Sequence, residues 1–291
     1  MSVDSACAVQ MSGSEAARLV ETSESRAYAA LVTGAPKELN EQYGLEVHHL
    51  GFATVFVAAR VRDSLVLNRV IGLGFGETVT ESMLDELDAI YLSSGIATYA
   101  VGVCNACEPA DLPSRLRGRG FVPYKQTSMC YRTVQPIASP ACDLRVRRAS
   151  LAEAAAYADL SCGIFDFEEP FPGMLRATFQ SPAWQQWLAL DGERPVAAAI
   201  TYIGSQVAWI GWVGTLAEYR GRGAQSALAA AQLQAASAMG CHWVTLEAAT
   251  GTKNHASQSL RNYRRLGWSV AYDRLVYVRR ARTRAQDARE S

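Results

Sequence analysis

Between Ser12 and Leu31 apolar residues recur every three to four positions, and Ser12 with Glu15 forms a capping-box pair, so the chain is expected to open with a helix. Runs rich in β-branched and aromatic residues follow at 45–50, 53–57 and 66–73, and each reads as a short strand. Thr78 and Glu81 are the expected caps of a second amphipathic helix ending near Gly95. A strand at 98–103, a short helix at 112–117 and an alternating strand at 126–134 complete the first half.

The second half repeats this order. A strand at 144–147 leads to a helix capped by Ser150 and Glu153 that reaches about Cys162, and another helix is expected near 174–179. Strands at 187–190 and 196–202 flank Asp191-Gly192, a hairpin signal, and a third strand follows at 206–213. An alanine-rich helix at 225–239, a strand at 243–248, a helix at 256–266 and two final strands at 268–272 and 274–279 end the pattern. Setting Gly120-Phe121 over Gly267-Trp268 offsets the halves by 147 residues, and each pair closes a helix and opens a strand. The economical reading is a duplicated unit joined by a proline-containing linker at 135–142.

Composition narrows the classes. Hydrophobic residues make up 49% of the 291, enough for a large core, and 28 basic residues balance 28 acidic ones. No global field therefore calls for nucleic acid or an anionic membrane. The residues up to Cys142 hold 11 basic and 15 acidic side chains, and those beyond hold 17 and 13, a mild tilt of anion affinity toward the second half. Seven cysteines at irregular spacing, no apolar leader at the start and no run of 18 apolar residues suit a reduced, cytoplasmic protein. Cys104 and Cys107 form a lone CxxC without further metal ligands at suitable spacing, so no metal is expected and structural thiols are the preferred reading.

The stretch from Glu218 to Ser226, EYRGRGAQS, lies between a strand and a long helix. Gly221 and Gly223 permit positive φ, so successive N–H groups can curl around an anion. The helix start adds partial positive charge, and Arg220 and Arg222 add whole charges. This stretch resembles motif A of the GNAT superfamily of acyl-CoA-dependent N-acyltransferases, Arg/Gln-x-x-Gly-x-Gly/Ala: Arg220 and Gly223 match, and Gln225 departs at the last site. Residues 259–268, SLRNYRRLGW, are similar to the family's motif B. The first half resembles the degenerate N-terminal unit of tandem GNAT proteins, with Leu116 where the second half has Tyr263.

The resemblance implies an α/β fold of two tandem GNAT-like units, each a mixed, mostly antiparallel sheet flanked by helices, with a degenerate unit at 1–135 and an acetyl-CoA-binding unit at 143–280. It implies acetyl transfer from acetyl-CoA to a small-molecule or peptide amine. Coenzyme contacts would come from Val213, Gly214 and Thr215 on the strand before motif A, from Arg220, Gly221, Arg222, Gly223, Ala224, Gln225 and Ser226, and from Asn254. Gly214 would permit an irregularity in that strand. Tyr263 matches the family's general acid, and Glu247 stands where some members carry a base, with a water relay as the equal alternative. Phe165, Asp166 and Glu168 fall where relatives line the acceptor site. Two other readings share the same groove: a non-catalytic acyl-CoA-binding protein and an O-acyltransferase.

Overall fold

The computed structural model describes residues 11–279 apart from Pro136, Ser139, Lys253 and Asn254. Helix α1 (Gly13–Thr33) starts at the expected capping box: the Ser12 hydroxyl accepts from the Glu15 N–H, and the Glu15 carboxylate accepts from the Ser12 N–H. A short helix α2 (Lys37–Tyr43) buries no residue, carries no periodic signal to betray it, and ends at Gly44 in the left-handed region. Strands β1 (Leu45–Leu50), β2 (Ala53–Ala58) and β3 (Arg69–Ile71) follow. Helix α3 (Glu81–Ser93) is capped by Thr80 rather than Thr78, whose hydroxyl reaches Glu108 instead. Strand β4 (Tyr99–Val103), helix α4 (Leu112–Gly118) and the long strand β5 (Phe121–Thr133) close the first half.

In the second half, β6 (Arg145–Arg148) and a single 3-10 turn lead into α5 (Ala154–Phe165) and α6 (Phe171–Ala177). The hairpin of β7 (Trp184–Asp191) and β8 (Arg194–Ile203) forms where the sequence indicates, but its loop is Gly192-Glu193, because Asp191 still pairs with Arg194. Then come β9 (Val207–Thr215), α7 (Ala224–Ala238), β10 (Trp243–Ala249), the small pair β11 (Gly251–Thr252) and β12 (His255–Ala256), α8 (Gln258–Arg265) and β13 (Ser269–Arg279). The two strands expected at the end are this one strand. The polar pair Asp273-Arg274, which reads as a break, is satisfied within it: Ser128 donates to Asp273 at 2.6 Å, and Arg274 meets Glu21 on α1 at 2.7 Å.

Each half is a mixed, mostly antiparallel sheet flanked by helices, but the two sheets are continuous. The strand order is β1-β2-β3-β4-β13-β5-β10-β9-β8-β7-β6. The parallel pairs are β3 with β4 and β9 with β10, one in each half, and the other pairings of this sheet are antiparallel. At the centre the halves exchange their last strands: β13 lies between β4 and β5 of the first half, while β5 pairs with β10 of the second. Helix α1 also crosses between them. Its Ala27, Tyr28, Leu31 and Val32 share a buried cluster with Met174, Leu175, Trp184 and Trp209 of the second half, and Ser23 bonds Thr245 on β10 at 2.6 Å.

Cys104 and Cys107 are buried, their sulfurs 3.5 Å apart, and Cys107 donates to the Leu73 carbonyl. None of the described helices is long and apolar enough to cross a membrane.

Candidate active site

Strands β9 and β10 pair only from Val207 to Ile210 and from Trp243 to Leu246, and past those residues they part. The opening coincides with a bulge on the other side of β9. Ala198 pairs with Gly214 and Ile200 with Gly211, which leaves Trp212 and Val213 opposite the single residue Ala199. The irregularity therefore falls at Trp212, which adopts the left-handed region at φ 44°. Gly214 meets a different need. A Cβ there would approach the Ile164 side chain to 2.4 Å and the Phe165 ring to 2.9 Å, so its absence lets the end of α5 lie against β9.

A groove of about 450 Å³ runs from this opening to the start of α7. Val213, Gly214, Thr215, Arg220, Gly221, Gly223, Ala224, Gln225, Ser226 and Phe165 all line it, so most of the residues expected around a coenzyme do converge. Gly221 and Gly223 both hold positive φ, 85° and 83°. Gly223 is the N-cap and offers no side chain, and the Ala227 N–H is the one that bonds back to the Gly223 carbonyl. The N–H groups of Ala224, Gln225 and Ser226 precede that first helical bond and are left for a ligand. A Cβ on Gly223 would come within 2.3 Å of the Ala141 carbonyl oxygen, so the linker itself enforces glycine there. Asn254 lies outside the described residues.

The two motif arginines separate. Arg220 lines the groove, with Nε 3.4 Å from the Thr215 carbonyl. Arg222 turns away, pairing with Asp143 at 2.6 Å and Asp191 at 3.1 Å and lying over the Tyr219 ring. A second groove cation comes from α8: Arg265, beside Asn262, Ser259 and Gln258. These four were not singled out from sequence, where a basic helix end reads as solvated surface. Gln225, the departure from the motif, has a defined task. Its carbonyl accepts from Asn262 at 2.6 Å and its amide donates to Ser259 at 2.7 Å, which ties α7 to α8 across the groove.

Through Phe165, Val213 and Ser259 the groove adjoins a second cavity of about 700 Å³, and this one holds Tyr263 and Glu247. Tyr263, on the inner face of α8, is buried against Trp268. Burial raises its pKa, only partly opposed by a hydrogen bond with Gln225, so the phenol keeps its proton. Burial also works against ionising Glu247. Arg69, 3.9 Å away, outweighs it together with Arg274 and Lys125, and the carboxyl sits below its usual range. Asp166 and Glu168 are exposed and line neither cavity; Asp166 instead ends α5 in the left-handed region.

The surroundings of Glu247 come largely from the first half. Arg69 on β3 is held by Glu24 at 3.3 Å and by the Tyr28 hydroxyl at 3.1 Å, while Arg274 on β13 meets Glu21 at 2.7 Å and Glu24 at 2.6 Å. Glu21 is so enclosed that burial raises its pKa despite Arg274. This buried ionic chain draws on α1, β3, β13 and β10, which no local pattern in the sequence links. Tyr28, Arg69, Lys125, Gln126 and Thr127 thereby line the cavity from residues before the linker.

A parallel strand pair that parts at a bulge, with a bare helix start at its mouth, matches the arrangement that the resemblance to GNAT proteins implies. Residues 154–268 match the family model described as acetyltransferase (GNAT) family. The chain's overall fold is shared with solved structures of low identity. A GCN5-related N-acetyltransferase from Kribbella flavida is 17% identical, with a TM-score of 0.62 over 90% of this chain and 97% of that one. A GCN5-related N-acetyltransferase from Sphaerobacter thermophilus is 20% identical, with a TM-score of 0.58 over 92% and 93%. A tandem GNAT protein from the clavulanic acid biosynthesis pathway is 12% identical, with a TM-score of 0.52 over 72% and 74%. No curated protein matches the sequence.

Proposed function

We propose that the second half transfers an acetyl group from acetyl-CoA to an amine by direct attack. The observation that carries this reading is the continuity of the two cavities: a groove ending on unpaired helix N–H groups opens, at Phe165, Val213 and Ser259, into a chamber holding a protonated phenol and an ionised carboxylate. When bound, the coenzyme supplies an activated acyl thioester. The start of α7, with Arg220 and Arg265, takes its phosphates. The edge of β9 beyond Ile210 has no strand partner toward β10 and serves the pantetheine arm. Tyr263 holds its proton on Oη for the departing sulfur. Glu247 is too acidic to retain a proton near neutrality, so it orients the amine by accepting its hydrogen bond while water carries the proton away. A chamber equipped with such groups favours a transferase over a protein that only binds acyl-CoA.

Calorimetry with CoA tests the coenzyme half of this proposal. Arg220→Ala and Arg265→Ala should each weaken binding by about tenfold or more, from charge-assisted bonds worth roughly 1.5–3 kcal/mol. Arg222→Ala should leave affinity nearly unchanged, because that guanidinium is engaged by Asp143 and Asp191. Unchanged affinity in an Arg220→Ala, Arg265→Ala double variant would remove the phosphate site from this groove.

A further inference from the structure

Resting on the acyl-transfer reading, we infer that the acceptor is a flat, apolar amine bearing an anionic group at the end remote from the amine, and that Lys125 of the first half reads that group. Besides Tyr263, five aromatic side chains, Tyr28, Phe165, Phe167, Trp209 and Trp212, wall the larger cavity. Trp212 stands edge-on to Tyr28, Phe167 and Trp209 at centroid distances of 5.6–5.8 Å, so these walls brace one another. Such a slot favours a planar body over a flexible polar chain.

Charge at the two ends then sets the polarity. Two cations line the cavity, Arg69 and Lys125. Arg69 is already engaged by Glu24, Glu247 and the Tyr28 hydroxyl. Lys125 is exposed and forms no ion pair with any described carboxylate. At the inner end, Glu247 is ionised and lies beside the coenzyme groove, where the amine must be placed.

Strand register separates these ends. Met129 on β5 stands opposite Glu247, and Lys125 is four residues farther along the same face. Four residues of strand span about 13 Å between Cα atoms, and Lys125 and Glu247 form no ion pair across that span. An α-amino acid, whose ammonium and carboxylate are adjacent, does not bridge that gap, whereas a body with one ring between the groups does. The same lysine repels a second cation, so diamines and polyamines are poor acceptors.

The matched probes are 4-(aminomethyl)benzoate and 4-methylbenzylamine, which differ only in the remote carboxylate. Their binding is titrated by calorimetry at low salt to the CoA-loaded wild type and to Lys125→Glu. A Lys37→Glu chain serves as a charge control, because Lys37 is a remote exposed residue. Wild type should prefer the carboxylate by about fivefold or more, as expected for a partly shielded ion pair. Lys125→Glu should reverse the order, and Lys37→Glu should leave it unmoved. Equal binding of the two probes by wild type, an unaltered order in Lys125→Glu, or no binding of either probe by a chain that binds CoA would each overturn the inference. Probe binding is read without turnover, so these outcomes stay separate from a failure of acyl transfer, which would show as absent CoA binding or absent acetyl product.

Discussion

Trp212 occupies a conformation that costs an L-residue roughly 1–2 kcal/mol, and it does so inside a strand. Four rings, from Tyr28, Phe167, Phe171 and Trp209, pack edge-on around its indole and hold it there. The bulge they hold lies where β9 leaves β10, so packing on one face shapes the opening on the other. Tyr263 lines the cavity beyond that opening. Tyr263→Phe keeps the ring against Trp268 and removes the hydroxyl, so CoA affinity should stay within error while kcat falls by about 10²–10⁴, the range for a lost general acid. Calorimetry and steady-state kinetics on one preparation check both halves of this expectation, and full turnover would leave Tyr263 as a packing residue only.

At the scale of elements, the helices that present the site depend on their first turns. The start of α7 owes its openness to Gly223, which caps without a side chain and touches the linker carbonyl at Ala141. The turn before α5 is tied more tightly. Glu153 accepts from Arg147 at 2.7 and 2.8 Å and from the Ser150 N–H at 2.8 Å. The Arg147 bonds, followed by those from Ser150, hold its carboxyl at about 2. Because the folded value lies below the unfolded one, this contribution is complete above the ordinary carboxylate pKa and is lost as pH falls through about 2. Glu153→Gln should therefore lower stability at neutral pH by about 1 kcal/mol. The gap from wild type should narrow as pH drops from about 4.5 toward 2. Urea midpoints at neutral pH and near pH 3 make the comparison, and a gap that widened on acidification would contradict it.

For the whole molecule the exchange of last strands is decisive. A chain cut within 135–142 leaves β13 hydrogen-bonded between β4 and β5, and β5 on β10, so two fragments produced together should remain associated. Produced singly, each lacks an internal strand and bares an apolar sheet edge, and neither should reach native circular dichroism. The intact chain should unfold in urea as one transition, coincident by fluorescence and far-ultraviolet dichroism. Two separated transitions would show the halves to be independent. The same exchange joins the halves at the site: β13 of the second half sets Arg274 against Glu21 on α1, and β5 of the first half sets Lys125 in the cavity that holds Glu247.

Features carried by neighbouring residues were open to the sequence. The capping boxes at Ser12 and Ser150, the hairpin near Gly192 and the glycines that start α7 depend on contacts three or four residues apart, and the structure has the boxes and glycines where the spacing puts them and the hairpin loop one residue on. The 147-residue offset likewise exposed a duplicated plan. Tertiary structure alone decided the rest. Arg222 could not be told from Arg220 until Asp143 and Asp191 were beside it, and the bulge falls at Trp212 rather than Gly214 because distant rings pay its strain. Glu247 owes its ionised state to Arg69, Arg274 and Lys125, which lie 178 residues before it, 27 after it and 122 before it. Local spacing records the interactions a chain makes with itself over one or two turns. An electrostatic field in a cavity sums charges from strands that only the closed sheet brings together.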